Sequence, residues 1–178
     1  FHFDLYGNLG EAYDNDIDKI VKYLMELEEI THPYRLQVED PVYMSSKEEQ
    51  IEVMAKIRSQ VKEEGLKLLL VADEWVPTMD DKVDFIEAEA ADIYQIKPPD
   101  LGGVNNSVEA ILYCKSKGVL PYLGGSCAET ACSARVSVHI ALATKPIQML
   151  AKPGMGVDEG VSIVYNEMQR ALALIFNK

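Results

Sequence analysis

The chain has 178 residues, of which 48% are hydrophobic and 26% charged, and these fractions exclude disordered, collagen-like and disulfide-scaffold proteins. Its 29 acidic residues against 17 Lys and Arg give a formal net charge of -12, which would repel nucleic acids and anionic membranes. No apolar run approaches the roughly 20 residues of a membrane span. Length alone favours one domain that is large enough to bury a hydrophobic core.

The cysteine content favours a reducing, cytoplasmic setting, because Cys114, Cys127 and Cys132 are an odd number without a CxxC pair. The chain also opens inside a predicted strand and has no initiator Met. We therefore expect it to be a piece of a longer protein.

Short apolar runs alternate along the chain with longer segments of helical period. The predicted elements, in chain order, are strand 2–5, helix 14–30, strand 34–38, helix 46–64, strand 67–72, helix 79–90, strand 92–96, helix 104–117, strand 119–123, helix 129–143, strand 147–150 and helix 157–174. Gly65 and Gly118 stand where helices should end. The alternation predicts six βα units and a parallel sheet covered by helices, so both a doubly wound sheet and a (β/α)8 barrel remain open.

Acidic residues end the first three predicted strands, at Asp4, Glu39 and Asp73. The carboxyl ends of neighbouring parallel strands lie side by side, so we expect these carboxylates to converge. An acid after a strand can also cap the next helix, but three in successive units favour a site for Mg²⁺, which prefers oxygen ligands. His2 lies two residues before Asp4 and is expected to share its face.

The fourth predicted strand places Gln95 and Lys97 on one side of the sheet, because alternate residues of a strand point the same way. A lysine beside a metal cluster can act as an electrostatic partner or as a general base, since neighbouring cationic charge and desolvation lower its pKa. The amide of Gln95 would then be a donor for a substrate carboxylate.

This order of residues resembles the enolase superfamily, and it resembles the methylaspartate ammonia-lyase family more closely. The segments that carry the closer resemblance are VADEW at 71–75, QIKPPDLGGVNN at 95–106, GGSCAET at 124–130 and LAKPGMGVDEG at 150–160. The similarity extends from Asp4 to the end of the chain, in the order and spacing of the family.

The resemblance implies a fold of the α/β class: an incomplete TIM-type (β/α) barrel made of six βα units of an enolase-superfamily barrel. Residues 1–178 would form the C-terminal portion of the barrel domain, with the N-terminal capping domain and the first two barrel strands absent from this chain. Because six units leave open sheet edges, we expect a preceding segment, a partner chain or a second copy to cover them. A homodimer is the corresponding family expectation.

The resemblance also implies a reaction: Mg²⁺-dependent, reversible elimination of ammonia from (2S,3S)-3-methylaspartate, an amino acid dicarboxylate, to give mesaconate in glutamate fermentation. The strand-end carboxylates would hold Mg²⁺, Lys97 would be the base, and a monovalent cation such as K⁺ is a candidate second cofactor. The implied substrate contacts are Gln95, Ser126 and Cys127. The family usually has Thr where Ser126 stands, and Ala128 replaces a polar residue.

Two other functions stay open at this point. One is a different enolase-superfamily reaction, such as that of a dehydratase or racemase. The other is a stable fragment that keeps the metal ligands and performs no catalysis.

Several further signals favour ordinary structural roles. The G-x-G-x-x-x-G spacing at 154–160 does not match a dinucleotide fingerprint and predicts a turn and a helix start. Cys127 is interpreted as a substrate contact or simply a small residue rather than a nucleophile, and Cys114, Cys132 and His139 are predicted to be buried core residues of helices.

Overall fold

The predicted alternation is present in the computed structural model, which describes residues 1–151 and 154–176. The elements are β1 (His2–Asp4), α1 (Asn8–Ala12), α2 (Ile17–Thr31), β2 (Gln37–Glu39), α3 (Lys47–Glu63), β3 (Leu69–Ala72), α4 (Met79–Glu87), β4 (Ile93–Ile96), α5 (Val104–Ser116), β5 (Leu120–Leu123), α6 (Ala131–Thr144), β6 (Gln148–Met149) and α7 (Val157–Phe176). The strands follow one another in the sheet in the order β1-β2-β3-β4-β5-β6, and the described pairs are parallel. The α/β class is therefore confirmed. Positions 152 and 153 of the 150–160 segment lie outside the described residues.

The chain divides into two compact units, Phe1–Tyr94 and Gln95–Lys178. In the first unit, side chains cap the helices: Asp16 accepts from the backbone N–H of Lys19, and Ser46 accepts from that of Glu49. The helix faces that point inward have the 3.6-residue period of an amphipathic helix. The fully buried apolar side chains include Ile20, Leu24, Val38, Met54, Ile57 and Leu70.

The second unit is built around α6, which packs against both α5 and α7. A capping box starts α6, because Thr130 and Ser133 each bond the other's backbone N–H. Gly118, at a φ of 75°, follows the end of α5 and leads into β5, as its position in the sequence predicts. Buried side chains of this unit include Ala110, Ile111, Cys114, Leu123, Ala134 and Val138.

The start of the second predicted element differs from the structure. A separate five-residue helix, α1, precedes α2, and α2 begins at Ile17 rather than at residue 14. Asp14 and Asn15 both have positive φ, 53° and 57°, a conformation that cannot continue a right-handed helix. The turn at these two residues therefore separates α1 from α2.

The predicted burial of α6 is wrong at two positions. Cys132 is exposed, and His139 has 54% of its side chain exposed, with Nε2 2.8 Å from Oε1 of Glu167. The face of α6 that points inward carries Ala134, Ser137, Val138 and Ala141, which repeat at helical spacing. Cys114 of α5 is buried as predicted, and all three cysteines are free thiols.

In the part of the chain that the structure describes, none of the helices combines the length and apolarity needed to span a membrane.

Candidate active site

The three strand-end carboxylates lie on one side of the first unit's sheet. Asp4 pairs in register with Glu39, and Glu39 pairs with Val71, two residues before Asp73. Alternate residues of a strand point to the same side, so this register places all three acids on a common side at the carboxyl ends. Glu39 and Asp73 are 2% and 8% exposed, whereas Asp4 is exposed.

His2 reaches the same side of the sheet from the beginning of β1. Its Nε2 lies 2.6 Å from Oε2 of Glu39, and its register partner is Gln37. The prediction that His2 shares the face of Asp4 is consistent with this contact. The imidazole fixes one oxygen of the Glu39 carboxylate and supplies a positive charge to it when protonated.

Asp40 adds a third buried acid beside Glu39 and Asp73. Its Oδ2 accepts the backbone N–H of Glu74 at 2.8 Å, and its Oδ1 accepts that of Asp73 at 3.4 Å. Burial raises the pKa of Asp40 well above its ordinary value, and the negative charges of Asp73 and Glu39 raise it further, against the lowering effect of the two N–H groups. Three buried carboxyl groups therefore lie close together at this end of the sheet.

The carboxylate oxygens at this edge of the sheet are the type of ligand that a hard divalent cation prefers. Mg²⁺ binds carboxylate oxygens, and a cation would offset the mutual repulsion of carboxylates at these strand ends. Across residues 1–151 and 154–176, however, no three His, Cys, Asp or Glu side chains form a group arranged to hold a metal ion. The assignment of Asp4, Glu39 and Asp73 as ligands therefore stays a prediction, supported by residue type, shared side and the burial of two of the three.

The loops after β1, β2 and β3 carry an aromatic row made of Tyr6, Tyr43 and Trp75. The ring centroids of Tyr6 and Tyr43 are 5.6 Å apart, and those of Tyr43 and Trp75 are 5.5 Å apart. Nε1 of Trp75 is buried without a hydrogen-bond partner among the described residues. The row gives the strand ends of the first unit an apolar border beside their carboxylates.

A side chain of α4 also holds the loop between β3 and α4 in place. Lys82 is 1% exposed, and its Nζ donates to the backbone oxygen of Val76. Asp40 holds the start of the same loop through Asp73 and Glu74. Charged side chains therefore fix this loop at two points.

In the second unit, Gln95 is 4% exposed and its side chain lies directly against the backbone of Gly124. A Cβ at position 124 would stand 1.9 Å from Oε1 of Gln95, and the N–H of Gly124 donates to Ile96 at 2.9 Å. Only a glycine allows this approach. The β5 strand end therefore determines where the Gln95 amide sits.

Lys97 follows β4 and is partly exposed. Its carbonyl oxygen accepts the N–H groups of Asp100 and Leu101 at 3.1 and 3.2 Å, which closes a turn before α5. Gly102 and Gly103 continue the turn at φ values of 77° and 154°. The turn fixes the backbone of Lys97 where the strand ends.

Ser126 and Cys127 form an accessible turn between β5 and α6. Oγ of Ser126 accepts the N–H of Ala128 at 3.3 Å, and its carbonyl accepts that of Glu129 at 3.2 Å. A Cβ at Gly154 would lie 2.3 Å from the carbonyl oxygen of Cys127, so residue 154 packs closely under the turn. The turn precedes the N-terminus of α6, whose partial positive charge favours an anionic group nearby.

A sequence model described as "Methylaspartate ammonia-lyase C-terminus" matches residues 1–177. The chain belongs to the methylaspartate ammonia-lyase family. It is 53% identical over 174 residues to methylaspartate ammonia-lyase 2 of Carboxydothermus hydrogenoformans, covering 98% of this chain and 42% of that relative. The methylaspartate ammonia-lyase of Clostridium tetanomorphum is 46% identical, again with 42% of its length covered. The chain thus spans well under half the length of these relatives.

Solved structures of the family have the same fold. The β-methylaspartase of Clostridium tetanomorphum, solved as a Mg complex, superimposes with a TM-score of 0.93 at 46% identity, covering 98% of this chain and 42% of that one. The Citrobacter amalonaticus enzyme, solved with (2S,3S)-3-methylaspartic acid, gives the same TM-score and coverage at 45% identity. A muconate lactonizing enzyme from Pseudomonas fluorescens, at 17% identity and a TM-score of 0.61, shares the fold alone, with 79% of this chain and 33% of that one covered. The predicted α/β fold of six βα units is confirmed, and it is the fold of these methylaspartate ammonia-lyase structures.

Two features of the candidate site could not be predicted from the sequence. Asp40 directly follows Glu39, but nothing in the order of residues shows that its carboxylate bonds the loop after the next strand. Gly124 is part of a recognisable GGSC segment, but its contact with Gln95 depends on how β4 and β5 pair. Both are contacts between neighbouring strand ends.

Proposed function

We propose that the protein catalyses the reversible elimination of ammonia from (2S,3S)-3-methylaspartate to give mesaconate. The observation that carries the proposal is the similarity to methylaspartate ammonia-lyases over 98% of the chain. The Citrobacter amalonaticus relative, which was solved with (2S,3S)-3-methylaspartic acid, supports the choice of substrate.

Lys97 is the proposed base. As a neutral amine, its Nζ takes the proton from C3 of the substrate, and the C–H electron pair becomes the double bond between C2 and C3. The C2–N bond breaks with its electron pair, so that ammonia leaves and mesaconate remains. The position of Lys97 at the end of β4, held by the turn to Asp100 and Leu101, supports this role.

The two carboxylates of the substrate need separate recognition. We assign one to the amide of Gln95, whose orientation is restricted by its contact with Gly124. We assign the other to the hydroxyl of Ser126 and the backbone around Cys127, next to the N-terminal end of α6. Fixing both ends of the substrate would align C3 with the base.

Asp4, Glu39 and Asp73 are the residues that would hold Mg²⁺. When bound, Mg²⁺ would supply positive charge to the substrate carboxylate next to the carbon that loses its proton, where negative charge develops. The relative from Clostridium tetanomorphum was solved as a Mg complex, which supports this choice of metal. A monovalent cation such as K⁺ is the proposed second cofactor.

The remaining parts of the proposal concern the whole protein. The relatives are more than twice as long as the aligned region, which supports a capping domain and two further barrel strands in a preceding segment or a partner chain. We propose a homodimer that works in the cytoplasm in amino-acid degradation through glutamate fermentation.

Lys97→Ala tests the proposal in the intact protein. We expect mesaconate formation from (2S,3S)-3-methylaspartate with Mg²⁺ to fall by about 100- to 10,000-fold, the usual contribution of a general base. Magnesium affinity should be nearly unchanged. The product is followed by the ultraviolet absorbance of its conjugated double bond.

Lys117→Ala is the matched control, because Lys117 is a lysine of the same unit whose Nζ lies 5.4 Å from the ring centroid of Tyr113. It should keep wild-type turnover. Unchanged turnover in the Lys97 variant would refute the base assignment. A wild-type protein that acts on other acids in a panel, and not on methylaspartate, would favour a dehydratase or racemase. Turnover by the intact protein without turnover by residues 1–178 alone would favour the non-catalytic fragment.

A further inference from the structure

Asp40 connects the carboxyl ends of three strands. Its backbone N–H donates to Val71 of β3 at 3.0 Å, and its carbonyl accepts the N–H of Gly7, in the loop after β1, at 2.8 Å. The residue is 2% exposed and has a φ of 39°. Both backbone groups and the side chain of Asp40 are thus used to join neighbouring loops.

The side chain of Asp40 binds two consecutive backbone N–H groups. One carboxylate oxygen accepts from Asp73 and the other from Glu74. Two bonds from one planar group restrict the orientation of this peptide segment more than one bond does. The direction in which the Asp73 side chain leaves the backbone is therefore set by Asp40.

We infer that Asp40 is a positioning residue that aims the Asp73 carboxylate at the magnesium site. The inference rests on the proposed function to the extent that Asp73 is taken as a metal ligand. Asp40 needs no contact with the metal or the substrate for this role. Groups that orient metal ligands usually contribute about 10- to 100-fold to metal affinity.

Asp40→Asn is the appropriate variant. Asn has nearly the same volume and tolerates positive φ, so the backbone conformation at this position can persist. Its side chain has one acceptor oxygen, however, and the amide NH₂ would face one of the two N–H donors. The bonds to Asp73 and Glu74 cannot both be kept.

The opposite end of β3 offers a matched control. Asp92 also accepts a backbone N–H from this strand, since its Oδ2 lies 3.0 Å from the nitrogen of Leu70. Its Oδ1 accepts from Nε of Arg58 at 2.8 Å. Asp92→Asn therefore makes the same chemical change in an acid that bonds the backbone of β3 away from the carboxyl end of that strand.

The experiment is a magnesium titration of the intact protein by calorimetry, without substrate. Asp40→Asn should weaken magnesium binding by about 10- to 100-fold, whereas Asp92→Asn should bind magnesium like the wild type even if it unfolds at a lower temperature. At saturating magnesium, kcat of the Asp40 variant should recover toward the wild-type value. A purely structural role would instead lower the folded fraction at every magnesium concentration.

Wild-type magnesium affinity in folded Asp40→Asn would overturn the inference, and so would an equal weakening in both variants. If Asp40→Asn does not fold, Asp40→Ser, which keeps one acceptor, takes its place with the same criteria. Failure of the wild type to convert methylaspartate would refute the proposed function. The positioning role would still be decided by the magnesium titration.

Discussion

The two units fix their candidate site residues by different means. In Phe1–Tyr94, buried charged side chains fix the site residues. Each of these side chains is 8% exposed or less: Glu39, Asp40, Asp73 and Lys82. In Gln95–Lys178, close approach to glycine does so: an added Cβ at position 124 would stand 1.9 Å from Oε1 of Gln95, and one at position 154 would stand 2.3 Å from the carbonyl oxygen of Cys127.

This difference determines which substitutions each unit can tolerate. A buried charge is stable only while its hydrogen-bond partners are in place, so the first unit should be sensitive to changes of chemistry at constant volume. A packed glycine has no side-chain chemistry to lose, so the second unit should be sensitive to a single added methyl group. Each prediction below tests one half of this comparison.

Among the variants that test this comparison, the largest effect is expected from Gly124→Ala. The new Cβ would lie 1.9 Å from Oε1 of Gln95, and the Gln95 side chain would have to move by more than an ångström, a displacement that typically costs about 100-fold in rate. We expect kcat/KM for methylaspartate to fall by about this factor, with magnesium affinity unchanged. Steady-state kinetics and a magnesium titration measure the two quantities.

Gly118→Ala is the control for that variant. Position 118 has a positive φ of 75° with nothing within 4 Å of an added Cβ, so alanine there adds backbone strain without a collision. It should cost about 1–2 kcal/mol of stability and leave kcat/KM unchanged. A Gly124→Ala protein with wild-type kinetics would show that Gln95 is not held by this contact.

The next largest effect is a loss of stability in the first unit, and it is expected from Lys82→Met. Methionine has a similar length and keeps the apolar packing, but it cannot donate to the carbonyl of Val76. Leaving that buried carbonyl unsatisfied should lower the free energy of unfolding by about 1–3 kcal/mol. Chemical denaturation of the intact protein measures the change.

Lys47→Met provides the comparison for a partly exposed lysine. Nζ of Lys47 lies 3.1 Å from Asp81 and 2.7 Å from Asp84, and 30% of its side chain is exposed. Because water can replace these ion pairs, this variant should lose less stability than Lys82→Met. An equal or larger loss would contradict the view that burial of the charge is what matters in this unit.

The sequence predicts the strand ends well because their signal is local. An apolar run followed by Asp4, Glu39 or Asp73 marks both a strand and its carboxyl end, and parallel pairing then places the acids on one edge. The register of β1, β2 and β3 is consistent with a common side for these acids. Their arrangement around a metal remains a prediction.

The burial of α6 shows why other features could not be predicted. Val136, Val138 and Ile140 suggest a helix buried around His139, but Val136 is 40% exposed, and the buried residues of α6 include Ala134, Ser137 and Ala141 as well as Val138 and Ile140. Small and polar residues on that face conceal the helical period that identifies a buried side. The hydrogen bonds of Asp40 could not be predicted for another reason. A contact between strand ends leaves no periodic pattern in the sequence.

The smallest effect is expected from Glu167→Gln in α7, where the second unit does use a buried acid. The side chain of Glu167 is 7% exposed, and its hydrogen bonds to Arg170 and then His139 lower its pKa to about 2. Because the pKa is lower in the folded protein than in the unfolded chain, this interaction stabilises fully above the ordinary value of 4.5 and is lost as pH falls toward about 2. The variant should be less stable than the wild type at neutral pH.

The pH dependence separates this contribution from a general loss of packing. Between pH 4.5 and about 2, the wild type should lose more stability than Glu167→Gln, because the wild type takes up about one additional proton on unfolding. The stabilities of the two proteins, measured by denaturation, should therefore differ at neutral pH and lie closer together at about pH 3. Glu52→Gln, which removes a carboxylate paired with Lys56 on an exposed helix surface, should show a smaller change at both pH values. If the stability difference at Glu167 were the same at both pH values, the loss would come from packing rather than from the charge of this carboxylate.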